Sequence, residues 1–464
     1  MSNLLLTLRF LSWITALAAL LCVPAHALAD RVQLTANTAT DCVMFSPAPN
    51  ADASVVAFES TCDLTAGNAD GNREIFAVND AGNVTQLTDT SGCANANPSV
   101  GFDGGAIAFD SDCDFDGGNT DASVEVFLWK ASGIVQLTDA TFCTSAAPSI
   151  NAAGTRVAFD SDCDHVAGHN PDRSSEIFRS TAAGAVTQLT DDRTGSGCGS
   201  FAASSDASGD LISFESDCDL AGENPDAVSE IFQVNASGTV TQLTTSPDDT
   251  CASTNPASDS DGSIVAFESD CDYTGGNANG VVEIFSVTSG GAVTQLTSDP
   301  SGGPCESSAP AISEDGSAVV FESFCDLVDG GNADGSFEVY RARAGSVEQL
   351  TDSEQCSSVA PATRFSGNLV AWVSDCDLTG DNADGSDEVF LSSDPCACGA
   401  PVTRYGNGTE PLASDALFAL RAAVGIGICA LCDCDVNSDN KITASDALSI
   451  LKRAVGQDVP LVCG

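Results

Sequence analysis

The residues with the clearest metal-binding pattern lie near the C-terminus of the 464-residue chain, in a twelve-residue segment that begins at Asp435. Oxygen-bearing side chains stand at positions 1, 3, 5, 9 and 12 of this segment, and a backbone carbonyl is available at position 7. This spacing is typical of Ca²⁺ loops, with aspartate in place of the usual bidentate glutamate, and a plain turn is the alternative. The predicted Ca²⁺ ligands are Asp435, Asn437, Asp439, the carbonyl of Lys441, Thr443 through a water molecule, and Asp446.

A second oxygen-rich pattern recurs through most of the chain, in loops that follow a Cys-Asp pair. Three copies comprise Asp63, Asn68, Asp70 and Glu74; Asp326, Asn332, Asp334 and Glu338; and Asp377, Asn382, Asp384 and Glu388. One interpretation is a set of weak Ca²⁺ sites, because Ca²⁺ prefers oxygen ligands at short intervals. The favoured interpretation is structural turns, in which Asp and Asn bond their own backbone and Glu accepts loop N–H groups.

Residues for nucleophilic catalysis are sparse. The two histidines beyond the N-terminal segment, His165 and His169, flank Gly168 and are expected in a solvated loop. No Gly-x-Ser-x-Gly elbow occurs, which argues against a Ser-His-Asp peptidase or esterase. Carboxylates are plentiful, so a paired-carboxylate glycosidase or a Ca²⁺-assisted polysaccharide lyase stays open. The acidic loops are nearly equivalent to one another, which favours a protein that is not an enzyme.

The elements that position these loops follow from an internal repeat of about 52 residues, from Ala29 to about Ser393. Gln-Leu-Thr, Glu-(Ile/Val)-(Phe/Tyr) and Cys-Asp each occur seven times in the same phase. Each repeat reads as four short strands bounded by Gly, Asn and Asp. Seven repeats of four strands predict a mainly β fold, a seven-bladed β-propeller. The first Gln-Leu-Thr precedes any complete repeat, so strand 32–35 is expected to complete the last blade.

The cysteine spacing predicts one disulfide in each blade. Two cysteines 20 residues apart recur in every repeat, and in six of the seven repeats a glycine follows the midpoint residue. Each pair therefore lies at the open end of a hairpin, and thiolate–metal ligation is disfavoured because the repeats lack a Cys-x-x-Cys knuckle. The predicted disulfides are Cys42–Cys62, Cys93–Cys113, Cys143–Cys163, Cys198–Cys218, Cys251–Cys271, Cys305–Cys325 and Cys356–Cys376. The pairing of Cys396, Cys398, Cys429, Cys432, Cys434 and Cys463 is left open.

The repeats resemble those of TolB-type propellers. The resemblance rests on segments such as 262–269, followed by Glu283-Ile284-Phe285 and by 293–297, and it covers all seven repeats. It implies the fold, whereas propellers host many unrelated activities.

The C-terminal segment is similar to dockerins, whose paired loop–helix repeats bind Ca²⁺ and dock onto cohesin modules. Two related segments, 413–425 and 444–456, each read as an amphipathic helix that ends at glycine. The resemblance implies Ca²⁺ as the cofactor and a cohesin-like module as a partner. The residues that it places at the partner contact are Ala444, Ser445, Lys452 and Arg453. The first loop has Arg404, Gly406 and Gly408 where ligands should stand, and we expect no metal there.

Charge and cysteine content limit the compartment and the partners. The formal net charge of −50 argues against binding to nucleic acid or to an anionic membrane surface. The count of 21 cysteines argues against a reducing compartment. Residues 1–29 read as a signal peptide, with cleavage expected after Ala27 or Ala29 and no other candidate membrane span.

These patterns predict a signal peptide (1–29), a propeller (30–395) and a small two-helix, dockerin-like Ca²⁺-binding domain rich in cysteine (396–464). The predicted function is a secreted or periplasmic, non-enzymatic binding and display protein. Its propeller would bind an extracellular protein or polysaccharide, and the C-terminal domain would attach it. The alternative is a polysaccharide-degrading component of a dockerin–cohesin assembly.

Overall fold

A computed structural model of the protein describes residues 30–192, 197–299, 305–328, 330–364 and 367–394. In the C-terminal part it describes residues 411, 416–417, 419–420, 423, 434, 436–437, 441–457 and 459–462. The predicted signal peptide lies outside the described residues.

Seven antiparallel four-stranded sheets form seven blades, which confirms the predicted seven-bladed propeller. Blade 1 contains β2 (Met44–Pro49), β3 (Val55–Ser60), β4 (Glu74–Asn79) and β5 (Val84–Gln86). Blade 2 contains β6 (Asn95–Val100), β7 (Ala106–Ser111), β8 (Glu125–Lys130) and β9 (Gly133–Gln136). Blade 3 contains β10 (Ser145–Ile150), β11 (Arg156–Ser161), β12 (Glu176–Thr181) and β13 (Val186–Gln188). Blade 4 contains β14 (Ser200–Ser205), β15 (Leu211–Ser216), β16 (Glu230–Asn235) and β17 (Val240–Gln242).

The remaining blades repeat this pattern. Blade 5 contains β18 (Ser253–Ser258), β19 (Ile264–Ser269), β20 (Glu283–Thr288) and β21 (Val293–Gln295). Blade 6 contains β22 (Ser307–Ile312), β23 (Ala318–Ser323), β24 (Glu338–Arg343) and β25 (Ser346–Gln349). Blade 7 contains β26 (Ser358–Arg364), β27 (Leu369–Ser374), β28 (Glu388–Ser393) and, as its outer strand, β1 (Asp30–Gln33).

The N-terminal strand closes the ring. β1 pairs antiparallel with β28 from Asp30 opposite Ser393 to Gln33 opposite Phe390, and the amide of Leu34 donates to the carbonyl of Val389. The ladder begins two residues before the strand that the sequence indicated, and it removes the free edge of β28.

The core lies between and within the blades. The Phe of the second strand stacks on the Phe of the third strand in blade 1, where Phe58 and Phe76 have ring centroids 5.7 Å apart. Each of the other blades has a stacked aromatic pair at these positions, with a tyrosine in blade 6 and a tryptophan in blade 7. These rings are fully buried. The aromatic positions of the repeated motifs therefore serve packing.

The first strands of consecutive blades contact one another around the ring and so line its axis. Each first strand carries a β-bulge after its second residue, where a non-glycine residue adopts a φ between +49° and +54°. The seven bulge residues are Ser46, Asn97, Ala147, Ala202, Asn255, Ala309 and Ala360. A bulge leaves one residue outside the ladder, so its amide is available to another acceptor.

In the C-terminal part, the described residues contain one complete helix, α1 (Ala444–Ala454). It corresponds to the second predicted helix. Within the first predicted helix, the described residues Ala416 and Ala419 are helical and pack with Ala447 and Ile450. The two-helix calcium domain as a whole stays a prediction. Among the described residues, no helix combines the length and apolar character needed to cross a membrane.

Candidate functional site

Seven disulfides join the start of the first strand of each blade to the end of its second strand, which confirms one disulfide per blade. The Cα atoms of Cys42 and Cys62 are 5.0 Å apart. Because all seven bonds lie at the same end of the sheets, they define one end of the propeller, called here the disulfide face. Seven such bonds indicate a protein of an oxidising compartment.

The acidic loops lie on the disulfide face, and their asparagines hold the loop together. Asn68 is 2% exposed, and its Nδ2 donates to the carbonyls of Cys62 and Asn72. Its amide donates to Oδ1 of Asp63, which is exposed. Asn332 and Asn382 are buried and repeat these contacts with Asp326 and Asp377. Asp70, Asp334 and Asp384 are exposed at the loop tips.

The glutamates that begin the third strands bind the Gln-Leu-Thr motif of the same blade or the residue two positions after it. In blade 5, Oγ1 of Thr297 donates to Glu283 and accepts the amide of Ile284 at 2.8 Å. Glu74 accepts the amide and hydroxyl of Thr90, Glu338 those of Ser353, and Glu388 the hydroxyl of Thr35. The two most regular motifs of the sequence therefore hydrogen-bond to each other. These contacts occupy oxygens of the predicted weak metal ligands, whose Ca²⁺ binding stays a prediction.

Groups of two cysteines and one aspartate also occur at the disulfide face, such as Cys93, Asp112 and Cys113. Their sulfurs are bonded to each other, so they present no thiolate to a metal. The carboxylate of Asp112 accepts the amide of Ala94 at 2.6 Å. The disulfide and the aspartate together hold the start of the first strand against the end of the second strand.

A ring of six carboxylates lies near the axis at the disulfide face, and the sequence analysis missed it. The members, called here the axial carboxylates, are Glu59, Asp110, Asp160, Glu215, Glu268 and Glu322. Each stands at the fifth position of a second strand and accepts the bulge amide of the next blade, for example Ala147 to Asp110 at 2.8 Å. Blade 7 has Val373 at this position. The signal was available as a repeated Phe-(Glu/Asp)-Ser.

The axial carboxylates repel one another in a poorly solvated place. Burial raises the pKa of Asp160 to about 7, and the charges of Asp110 and Glu215 add to this effect. Burial likewise raises the pKa of Asp110, Glu215, Glu268 and Glu322, as it does that of Glu59. Folding therefore holds a set of acids together that would each be easier to ionise in the unfolded chain.

Arginines meet this axis at two places. At the disulfide face, Nη1 of Arg73 lies 3.4 Å from Oε2 of Glu59, and its guanidinium lies 5.2 Å from the ring centroid of Phe45. At the opposite end, Arg364 donates to the carbonyls of Pro49 and Val100, the last residues of two other first strands. The axis is therefore lined by carboxylates at the disulfide face and bridged by the Arg364 guanidinium at the opposite end.

His165 is not in a solvated loop as the sequence analysis expected, whereas His169 is exposed. The ring of His165 packs edge-on against Phe159 and Phe178, and its Nε2 lies 2.8 Å from Oγ of the buried Ser145. Burial lowers the pKa of His165 to about 4. Phe115 and Tyr273 pack against the stacked pairs of their own blades in the same way. The histidine thus fills a packing position, which its local sequence did not show.

The predicted Ca²⁺ loop is described at four of its six ligand positions, Asn437, Lys441, Thr443 and Asp446; Asp435 and Asp439 lie outside the described residues. Asp446 is fully buried. Its Oδ2 accepts the amide of Thr443 at 2.9 Å and the hydroxyl at 2.7 Å, whereas its Oδ1 has no hydrogen-bond partner among the described residues. A buried carboxylate oxygen without a partner is costly, unless a cation binds it.

The predicted partner-contact residues lie on α1. Ala444 and Ser445 are exposed at its start, and Lys452 and Arg453 are partly exposed in its last turn. Leu448 and Leu451 are 50% and 40% exposed on the same helix, and Val455, the residue that follows it, is 63% exposed. The described part of the helix thus presents apolar and basic side chains to solvent.

Comparisons with known proteins place the fold. No family model matches the chain, and no curated protein matches it. The fold is similar to an oligogalacturonate lyase from Vibrio parahaemolyticus, with a TM-score of 0.54 and 15% identity over 80% of this chain and 95% of that one. An oligogalacturonate lyase in complex with manganese gives a TM-score of 0.52 and 14% identity over 79% and 93%. A TolB-like structure from Agrobacterium tumefaciens gives 0.40 and 18% over 68% and 94%.

The strand order defines the chain as a seven-bladed propeller, and the two similarities with TM-scores above 0.5 support this fold. At such low identity they show the fold alone. The prediction of a non-enzymatic protein, the dockerin-like module and its cohesin-like partner therefore stay predictions.

Proposed function

We propose that the protein is a disulfide-stapled binding and display protein that acts outside the cytoplasm. The observation that carries this proposal is that the disulfide face has two kinds of side chain, repeated polar ones that are hydrogen-bonded within a blade and non-repeated aromatic ones that are exposed. Side chains that recur in the blades, such as Asn68 and Glu283, are bonded within their own blade. Phenylalanines that depart from the repeat, Phe45, Phe142 and Phe201, are 38%, 83% and 44% exposed. Exposed aromatic side chains on a rigid scaffold are typical of interaction surfaces.

The C-terminal segment is proposed as a Ca²⁺-dependent attachment module. The residues fit a calcium ion, because Asp446 turns one oxygen toward the start of its helix and keeps the other without a partner. Asp435, Asn437, Asp439, the Lys441 carbonyl and Thr443 would supply the remaining oxygens. Ca²⁺ would fix the loop relative to α1, so that Ala444, Ser445, Lys452 and Arg453 could meet a cohesin-like partner.

Calorimetric titration of chelator-stripped protein tests the calcium site. We expect about one Ca²⁺ per chain, lost in Asp446→Asn and in Asp435→Ala and retained in Asp70→Asn, a matched change in an exposed blade loop. About eight ions per chain, most of them surviving Asp446→Asn, would make the blade loops calcium sites. An absence of binding would contradict the calcium proposal.

Binding of a soluble cohesin module tests attachment. We expect the full chain to bind it in Ca²⁺ and to release it in chelator. The alternative function is a polysaccharide-degrading component, for which the similarity to oligogalacturonate lyases is a reason to assay oligogalacturonates first. If the purified protein still releases reducing sugar from oligogalacturonates, the polysaccharide-degrading function would replace the display function.

A further inference from the structure

Blade 1 contains a small guanidinium pocket that the chain fills itself. Phe45 and Glu59 stand opposite each other in the ladder between β2 and β3. Arg73, the residue before β4, places its guanidinium 5.2 Å from the centre of the Phe45 ring and 3.4 Å from Oε2 of Glu59. An aromatic face and a carboxylate together select a cation, and the flat guanidinium is the cation that stacks best.

Blade 4 repeats the aromatic ring and the carboxylate without the arginine. Phe201 stands opposite Glu215 in the ladder between β14 and β15, as Phe45 stands opposite Glu59. The residue before β16, in the position of Arg73, is Ser229. Ser229 and Arg73 keep the same backbone role, because the carbonyl of each accepts the first amide of the next blade's inner strand. The difference is therefore confined to the side chain.

Three features make the blade 4 pair accessible to an external group. The Phe201 side chain is 44% exposed. Its ring lies over Gly199, where an added Cβ would be 2.7 Å from Cζ of the ring, so the glycine leaves the room that the ring occupies. Glu215 accepts the amide of Asn255 through Oε2. Its Oε1 makes no hydrogen bond among the described residues and is not fully buried. The exposed Phe201 ring thus stands opposite a carboxylate that keeps one oxygen available to a ligand.

The other blades do not carry this pair. The residues in the position of Phe201 are Ala96, Ala146, Thr254, Ser308 and Val359. Blade 4 therefore differs from five blades by its ring, and from blade 1 by the missing arginine. The axial carboxylates Asp160 and Glu268 lie in the blades on either side, close enough that the charge of Glu215 raises the pKa of each.

We propose that the Phe201–Glu215 pair binds an arginine side chain of a basic segment in a partner protein. The inference rests on the proposed binding function and names the chemistry of its ligand. The guanidinium would stack on the Phe201 ring and pair with Glu215, as Arg73 does with Phe45 and Glu59. The charge of −50 and the neighbouring carboxylates attract a basic segment over a distance, and the ring gives arginine an advantage over lysine.

The test is calorimetric titration of the full chain with an acetylated, amidated tri-arginine peptide at low salt, with tri-lysine as the comparison. We expect one site for tri-arginine and weaker binding of tri-lysine. Phe201→Ala and Glu215→Gln should each weaken tri-arginine roughly tenfold. Ser229→Arg should abolish the site, because it supplies in blade 4 the guanidinium that Arg73 supplies in blade 1. Unchanged thermal unfolding midpoints of the variants keep the comparison valid.

The reciprocal variant makes the test sharper. Arg73→Ser opens the pair in blade 1, so the stoichiometry should rise from one tri-arginine to two. Equal affinity of tri-arginine for the wild type and Ser229→Arg would overturn the proposal. An equal loss in Glu268→Gln and Glu215→Gln would also overturn it, because the attraction would then be diffuse. Failure here leaves the calcium and cohesin results unaffected, so the two proposals fail separately.

Discussion

At the scale of single residues, this propeller is shaped by acids that it buries. Asp160 accepts the bulge amide of Ala202 at 3.3 Å, which joins blade 3 to blade 4. The same carboxylate lies within the electrostatic reach of Asp110 and Glu215. One side chain therefore both joins two blades and adds charge repulsion between them. Protonation of Asp160 removes the repulsion and leaves an oxygen for the amide.

Asp160 gives a pH prediction with a definite sign. Its pKa in the folded chain is raised from 3.8 to about 7, so its contribution to stability is complete below about pH 4 and is lost as the pH rises toward 7. Asp160→Asn keeps an oxygen for the Ala202 amide and removes the charge. We expect the variant to gain on the order of 4 kcal/mol in unfolding free energy at pH 8 and little at pH 4.

Urea unfolding of the wild type and of Asp160→Asn across pH 4 to 8 measures this difference. The exposed Asp103→Asn, at the opposite end of a blade, serves as the control and should leave the pH profile unchanged. A constant difference between Asp160→Asn and the wild type at all pH values would contradict the assigned role.

What the sequence could reveal at this scale was set by distance along the chain. The disulfides were predictable because Cys93 and Cys113 are joined by one hairpin with a glycine in its turn. The axial carboxylates were missed because Glu215 acquires its role from Asn255, a residue of the next blade. His165 was misassigned for the same reason, since its partners Ser145 and Phe178 come from other strands. Periodicity shows that a residue recurs, but not which neighbouring element it contacts.

At the scale of elements, the hairpin between the first two strands sets how closely adjacent blades pack. Its turn residue has a positive φ in all seven blades; six use glycine, and blade 1 uses Ala53 with φ of +53°. In blade 5, Gly262 has φ of +70°, and a Cβ there would be 2.4 Å from Cδ2 of Leu211 in blade 4. The glycine therefore serves both the turn and the contact between blades.

Two glycine substitutions separate these roles. Gly222→Ala changes a residue with φ of +80° and no atom within 4 Å of the new Cβ, so it should cost only the backbone strain, about 1 kcal/mol. Gly262→Ala adds a clash with a neighbouring blade and should cost roughly 2–4 kcal/mol in total. Urea unfolding measures both variants. Equal losses would show that the blade contact at Gly262 relaxes without cost.

At the scale of the whole molecule, we expect the ring to open first where β1 pairs with β28. Blades 1 to 6 are each built from consecutive strands, whereas blade 7 takes its outer strand from residues 30–33. The hydroxyl of Thr35 repeats in blade 7 the contact that Thr297 makes in blade 5, because it donates to Glu388 and accepts the amide of Val389. The corresponding threonine accepts the same amide within each of blades 1 to 6, whereas in blade 7 this contact also helps to close the ring.

The matched substitutions Thr35→Val and Thr297→Val test whether closure is the weakest point. Each removes one hydroxyl, leaves a buried amide and one carboxylate oxygen without a partner, and should cost about 2 kcal/mol. The described chain connects β1 to blade 1 through residues 34–43, and β1 is held in blade 7 by its ladder with β28, so in Thr35→Val it can detach while the other blades stay folded. We expect hydrogen exchange to accelerate at least tenfold in β1 and β28 of Thr35→Val, since about 1.4 kcal/mol of lost local stability corresponds to a factor of ten. In Thr297→Val, β20 and β21 should lose protection less, because blade 5 is tethered on both sides. Equal acceleration in the two variants would mean that the seven blades open as equivalent units and that the ring has no preferred point of opening.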